Sequence, residues 1–189
     1  IGSMRKLIVR MNMSLDGYVE GPRGAMDWFS SGDEHWRNLF VLLEDTDTFV
    51  VGRGMYAGYA EHWIAALTSP TASADERAFA ERAQRTRHVV VSRTMQHAEL
   101  LRTTIARDLD AVARLKEEPG KSIVVWGGAT LASALISAGL VDELQLLIQP
   151  IVLGGGGKAL FEGVARQRLT LAEARAFGTG VLLVRYRSS

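Results

Sequence analysis

The sequence predicts a three-layer α/β/α sandwich on a mixed, mostly parallel sheet, closed by an antiparallel hairpin at its carboxyl end. Two observations carry that reading. Short buried-looking strands alternate with helical segments through about residue 150, the order that places parallel strands side by side with helices on both faces. Beyond that point the run RLTLAEARAFGTGVLLVRYR reads as two strands around Gly178-Thr179-Gly180, a hairpin signal.

Residues 5–13 (RKLIVRMNM) are β-rich and end in the turn Ser14-Leu15-Asp16-Gly17, ahead of a polar loop with Gly21, Pro22 and Gly24. Trp36, Leu39, Phe40 and Leu43 recur at helical spacing behind an acidic start, predicting an amphipathic helix over 33–44. TFVVGRGMYAGY is a short buried strand, a glycine and a helix start. Residues 63–74 read as the loosest segment, followed by a helix over 75–85 and the strand HVVVS. A short strand near 100–104 precedes a helix at 108–118 closed by Pro119-Gly120. The stretch IVVWGGATLASALISAGLVDEL then runs from a strand through two glycines into a small-residue helix. ELQLLIQPIVLGGGG is a strand with alternating Leu144, Leu146 and Ile148, ended by Pro150 and a glycine run.

No repeat or linker divides the chain, so residues 4–189 form one domain, with Ile1-Gly2-Ser3 ahead of Met4 reading as a cloning remnant. With 47% hydrophobic and 23% charged residues, a large core is expected and disorder is not. A net charge of +1 spread along the chain offers no footprint for nucleic acid or an anionic membrane. The chain has no cysteine, which excludes disulfides and thiolate chemistry and fits a reducing compartment. No apolar run approaches the ~20 residues of a membrane-spanning helix and no signal peptide is visible, so a soluble cytoplasmic protein is expected.

The pair Gly127-Gly128 raises the functional question. Ligands of open α/β sheets bind beyond the carboxyl ends of the strands, where a starting helix offers unpaired amides and partial positive charge. Glycines at that junction let a diphosphate approach the backbone. Gly127, Gly128 and Ala129 would supply amides and Thr130 a hydroxyl; the alternative is a tight strand-to-helix turn with no ligand. Two other strands end beside basic residues, at Gly52-Arg53 and at Ser92-Arg93-Thr94. Arginine suits a ribose phosphate through its bidentate fork, or else serves as a solvated surface charge.

The segments MSLDGYV, VVGRGMY, VVVSR, WGGATLASALISAGLVDEL and PIVLGGGGKALF together resemble the dihydrofolate-reductase-like superfamily. Within it the chain is most similar to the reductase domain at the carboxyl end of bifunctional riboflavin-biosynthesis deaminase–reductases and to its stand-alone relatives. The resemblance implies an NADPH-dependent reductase in which Gly127, Gly128, Ala129, Thr130 and Leu131 hold the pyrophosphate. It implies that Gly52-Arg53 and Ser92-Arg93 flank the adenosine half, and that the turn from Ser14 to Gly17 lines the nicotinamide. Relatives are often homodimers. The stretch Leu140 to Leu153, apolar on both parities, also reads as an unpaired strand inviting a partner.

There are departures. Met55 stands where folate enzymes usually carry Thr, Thr-Leu-Ala-Ser replaces their helix tyrosine, and the Pro-Leu-x-x-Arg segment of the pathway reductases is missing. The zinc signature of a deaminase is also absent. The expected activity is reduction of a heterocyclic or sugar-imine substrate. The nearest analogy is 5-amino-6-(5-phosphoribosylamino)uracil reduction, ahead of pterin or dihydrofolate reduction. A non-catalytic NADP(H)-binding module and a phosphosugar-binding enzyme are the alternatives.

A reduced C=N or C=O must gain a proton, from an acid or a positioned water. Asp16 and Asp33 are the candidate acids; a turn aspartate and a helix N-cap are their structural alternatives. Asp33-x-x-Trp36 echoes the acid-x-x-aromatic pattern of folate enzymes, which makes Trp36 a candidate substrate contact. Trp28 could wall a planar substrate by stacking, or pin its own loop. The glycine run 154–157 could approach the cofactor or make a wide turn. His35, His62, His88 and His97 lack ligand spacing, so no metal is expected.

Overall fold

In the computed structural model, which describes residues 4–99 and 101–189, β1 (Leu7–Ser14) and the short β2 (Tyr18–Glu20) precede helix α1 (Asp33–Glu44). β3 (Thr46–Gly52) runs directly into α2 (Arg53–Ala66), and α3 (Ala74–Arg85) leads to β4 (Arg87–Val91). β5 (Arg102–Ala106), α4 (Leu109–Glu117), β6 (Ser122–Gly127), α5 (Ala129–Ser137) and β7 (Glu143–Gln149) follow, then β8 (Lys158–Ala159), β9 (Leu169–Ala176) and β10 (Leu182–Ser188). The main sheet has the order β5-β4-β3-β6-β1-β7-β10-β9, with the first six strands parallel and β10 antiparallel to both its neighbours. The sandwich and closing hairpin are those the sequence predicts. Leu100, the first residue of the expected strand at 100–104, lies outside the described residues, as do Ile1, Gly2 and Ser3.

Strand alternation builds the two cores. Leu7, Val9 and Met11 of β1 face α4 and α5 with Ile123, Val125, Leu144 and Leu146; Ile8 joins Phe49 and Val124 against α1 and α3. Each such side chain, fully buried, contributes roughly 1.5–3 kcal/mol of hydrophobic stabilisation. The helices start differently. Ser73 Oγ accepts from Glu76 N (3.1 Å) at α3 and Asp108 Oδ1 from Ala111 N (2.8 Å) at α4. The first turns of α2 and α5 begin at Gly52 and Gly128, with no side-chain cap.

Three expectations change. Residues 63–66 are helical rather than loose, because Trp63 meets Phe79 edge-on (4.4 Å) and draws the last turn of α2 onto α3. β7 is not an unpaired strand: it lies between β1 and β10, and its apolarity on both parities serves the two faces of an interior strand, so it gives no ground for a homodimer. The glycine run is more than a wide turn: Gly154, Gly155 and Gly156 hold positive φ, and a Cβ on Gly157 would stand 2.0 Å from the Glu20 carbonyl oxygen, where the chain closes on β2 to form the small β2–β8 sheet. Among the described residues no helix is long and apolar enough to cross a membrane.

His88 is fully buried on β4. Its Nδ1–H donates to the Thr86 carbonyl (2.8 Å) and its Nε2 accepts from the Tyr59 hydroxyl (2.9 Å), which ties α2 to the sheet. Burial lowers its pKa to about 4, and His35 is likewise lowered to about 4 by burial and then by the charge of Arg10. Both folded values lie below the unfolded one, near 6.5. As pH falls, the unfolded chain therefore takes up protons that the native state refuses, and stability drops. Urea midpoints should decline from pH 6.5 to 5, with His88 alone contributing about 2 kcal/mol; a midpoint flat across that window would contradict the buried neutral tautomer.

Candidate cofactor and active site at the strand ends

The carboxyl ends of β4, β3, β6 and β1 stand side by side in that order. This brings together Ser92-Arg93, Gly52-Arg53, the segment Gly127 to Leu131 and the turn Ser14 to Gly17. The ends of β3 and β6 nearly touch: a Cβ on Gly52 would lie 3.1 Å from Gly128 N and 3.4 Å from the Gly127 carbonyl oxygen. Gly127, at φ +137°, is walled by Met11 of β1 and Met55 of α2, whose Cε and Sδ would lie 3.0 and 3.4 Å from an added Cβ. The Gly127–Gly128 peptide is cis.

Gly128 differs from both. A Cβ there would meet nothing within 4 Å, so open space lies over the start of α5 where a side chain would otherwise stand. The first amide of α5 with a helical partner is Ala132 N, bonded to the Gly128 carbonyl (2.9 Å). The amides of Ala129, Thr130 and Leu131 have no intrahelical partner, and no capping side chain covers the helix start. Thr130 is exposed beside them.

Arginines flank this cradle. Arg53 opens α2 and reaches Thr94 Oγ1 (3.3 Å). Arg93 is exposed, and its guanidinium makes no hydrogen bond or ion pair among the described residues. Ser92 is buried, and its Oγ accepts from Thr94 N (3.3 Å) and Met95 N (3.0 Å), so it shapes the turn rather than facing outward.

On the other side of the cradle several expected roles shift. Ser14 is buried; its Oγ donates to Asp16 Oδ1 (2.6 Å) and accepts from Tyr18 N (2.9 Å). Gly17 adopts φ +92° to let the turn close. Asp16 also accepts from Leu153 N (3.1 Å) and Gly154 N (2.9 Å), clamping the β1 turn to the loop after β7. The Ser14 hydroxyl, then the two amides, hold its carboxyl down at about 2 despite some desolvation. In this structure Asp16 serves as the turn aspartate, the structural alternative to the expected acid.

Asp33 is exposed in the first turn of α1, one residue inside the Gly32 cap position. It shares a shallow depression with Trp36, Phe40 and Asp75 of α3, so it faces α3 rather than the turn after β1. Trp36 is only 9% exposed and packs in the core with Leu39, Leu43 and Phe49. It is a packing residue and not a substrate wall, because the helical spacing that made it conspicuous aims it at the sheet. Trp28 is half-buried, donates Nε1–H to the Ala25 carbonyl (3.0 Å) and meets Phe29 edge-on (5.2 Å), which pins its loop. No group of three or more His, Cys, Asp or Glu side chains among the described residues converges as a metal site would require.

Sequence reasoning missed three features. Met11 and Met55 line Gly127. Arg107, just after β5, donates from Nη1 to the Met95 carbonyl (2.6 Å). A buried polar relay underlies α1: Arg10 Nη1 donates to Asn38 Oδ1 (2.6 Å) and Gln145 Oε1 (3.0 Å), and Gln145 Nε2 donates to Glu143 Oε2 (2.8 Å). Burial lowers the Arg10 pKa to about 9. The alternation of Arg10, Asn12 and Ser14 along β1 was the available signal for that relay.

These features make an α/β/α sandwich whose glycine-opened helix start lies beside the arginine-bearing end of β3. The match to known proteins is more specific: residues 5–183 fit the family described as the RibD C-terminal domain, and the chain belongs to that family. YyaP of Bacillus subtilis (strain 168) is 30% identical over 183 residues, covering 96% of this chain and 94% of YyaP. The riboflavin biosynthesis protein RibD of Corynebacterium ammoniagenes is 26% identical over 157 residues, covering 78% of this chain and 44% of that protein. Among solved structures, the riboflavin biosynthesis reductase Rib7 of Saccharomyces cerevisiae superposes with TM-score 0.63 at 15% identity, covering 100% of this chain and 92% of that one. The deaminase/5-amino-6-(5-phosphoribosylamino)uracil reductase of Thermotoga maritima does so with TM-score 0.70 at 16% identity, over 98% of this chain and 57% of that one.

Replacing Asp16 by Asn removes one acceptor and the charge from the clamp. Amide exchange at Leu153 and Gly154 should accelerate markedly while exchange in the sheet stays unchanged; unaltered protection at those two amides would refute the clamp. In the wild-type protein the clamp's contribution is complete above pH 4 and fades as pH falls through about 2, because the folded carboxyl titrates below its unfolded value.

Proposed function

We propose that the protein is an NADPH-dependent reductase of a heterocyclic or sugar-imine substrate, with phosphoribosylaminouracil reduction as the nearest analogy. The observation that carries this reading is the open, uncapped start of α5 at Gly128, set between Arg53 and the β1 turn. Family membership and the activities of the relatives support it.

The residues present fit the cofactor. The amides of Ala129, Thr130 and Leu131 would take the diphosphate, helped by the helix dipole. Arg53 and Arg93, neither held by a carboxylate among the described residues, would take a ribose phosphate and so select NADPH over NADH. Gly127, free of a Cβ and walled by Met11 and Met55, would let the cofactor lie close to the sheet edge. When bound, the reduced nicotinamide supplies hydride. The chain's task is then placement: the clamped turn from Ser14 to Gly17 bounds the space at the end of β1. With Asp16 ionised and Asp33 turned toward α3, the proton for the reduced substrate comes from water.

The engagement of Asp16 in the turn and the exposed position of Asp33 on α1 favour one further reading, a module that binds NADP(H) without turnover. One experiment addresses both. NADPH fluorescence should rise on addition of wild-type protein, and Gly128→Val should weaken binding by at least roughly tenfold with an unchanged melting temperature, since its Cβ fills only the cradle. Gly127→Ala should instead lower stability by about 1–3 kcal/mol, from its positive φ and the contact with Met11. No fluorescence change with wild-type protein would refute the cofactor assignment. Binding without oxidation of NADPH across aminopyrimidine ribotides, pterins and dihydrofolate would select the binding module.

A further inference from the structure

Three arginines occupy three neighbouring strand ends: Arg53 after β3, Arg93 after β4 and Arg107 after β5. None has a carboxylate partner among the described residues; the adjacent Asp108 caps α4. They hold different things. Arg93 holds nothing and Arg53 touches only a hydroxyl, whereas Arg107 is tied to main chain. Its Nη1 donates to the Met95 carbonyl (2.6 Å) and lies 3.4 Å from the carbonyl oxygens of both Ser92 and Arg93.

The same short turn is gripped from its other side. Ser92 N donates to the Ala106 carbonyl (2.9 Å), Ser92 Oγ accepts the Thr94 and Met95 amides, and Met95 packs beside Val51, Tyr56 and Val90. The turn is exposed at residues 93 and 94, so these local bonds, not burial, hold its shape. Removing the one cation that gathers its carbonyls leaves an exposed turn with its outer half unpinned. An arginine on an unpinned turn must be ordered when an anion binds, at a cost a pre-positioned one avoids.

We propose that Arg107 is a positioning residue for cofactor choice. By drawing the carbonyls of the turn at 92–95 inward, it fixes Arg93 and the Thr94–Arg53 contact as a two-arginine clamp. That clamp receives the phosphate distinguishing a 2′-phosphorylated adenine nucleotide from an unphosphorylated one. The proposal rests on the NADPH reading above, and its test separates the two.

Adenosine 2′,5′-bisphosphate and 5′-AMP probe the adenosine half with no nicotinamide and no turnover. Wild-type protein should prefer the bisphosphate. Arg107→Met should weaken the bisphosphate roughly tenfold, the loss of about one charge-assisted hydrogen bond, and leave 5′-AMP within about twofold. Without ligand, the Thr94 and Met95 amides should exchange faster in that variant. Arg107→Lys, whose ammonium can meet the same carbonyls, should restore both properties. Arg93→Met should lose the preference without altering exchange. Unchanged exchange in Arg107→Met, or equal weakening of both nucleotides, would overturn the positioning role while leaving the NADPH reading intact. A wild-type protein indifferent to the 2′-phosphate would overturn both.

Discussion

The approach of β3 to β6 at their carboxyl ends is the constraint on which the site depends. Gly52 lies so near Gly128 N and the Gly127 carbonyl that a single methyl group would make the backbone give by a few tenths of an ångström. That closeness sets two helix starts without a side-chain cap, those of α2 and α5, on adjoining strands, with Arg53 opening α2. It also leaves the early amides of α5 facing open space. Backbone N–H groups without a partner are costly when shut away from water, so a helix start of this kind must stay wet or hold a ligand. In α3 and α4, where no such opening exists, Ser73 and Asp108 fill the same need with ordinary caps.

Charge is divided across this edge. At the ends of β3, β4 and β5 stand three arginines with no carboxylate partner among the described residues. Toward β1 and β7 the acids are used to build structure: Asp16 clamps Leu153 and Gly154, and Glu34 accepts from the Gly178 amide of the β9–β10 turn (2.7 Å). The two sides therefore do different work. One carries exposed positive charge; the other stiffens its loops. Beneath them the relay from Asn38 through Arg10 and Gln145 to Glu143 secures α1 to the sheet without adding an anion-binding group at the surface.

Much of the fold was legible because strand and helix periodicities record burial directly. The helix 33–44 emerges with its expected bounds, and the closing hairpin falls around Gly178-Thr179-Gly180. The glycine cradle and the Gly-Arg and Ser-Arg turns were also readable, since a strand running into glycine beside a basic residue is a local pattern. What stayed hidden depends on distance along the chain. Nothing near Asp16 in sequence announces the amides of 153 and 154, and nothing near Gly157 announces β2. Trp36 misled for a related reason: an acid and an aromatic three residues apart fit an active-site helix and a core-facing helix equally well. Arg107 gave no signal because its partners are carbonyls, which carry no sequence identity.

The most direct test of the central claim is a crystal structure of the protein with NADPH. The diphosphate should lie within hydrogen-bond distance of the amides of Ala129, Thr130 and Leu131, with the adenosine ribose phosphate between Arg53 and Arg93. A dinucleotide bound elsewhere, or a cradle left empty at saturating NADPH while another pocket is filled, would contradict the assignment of α5 as the cofactor-binding helix.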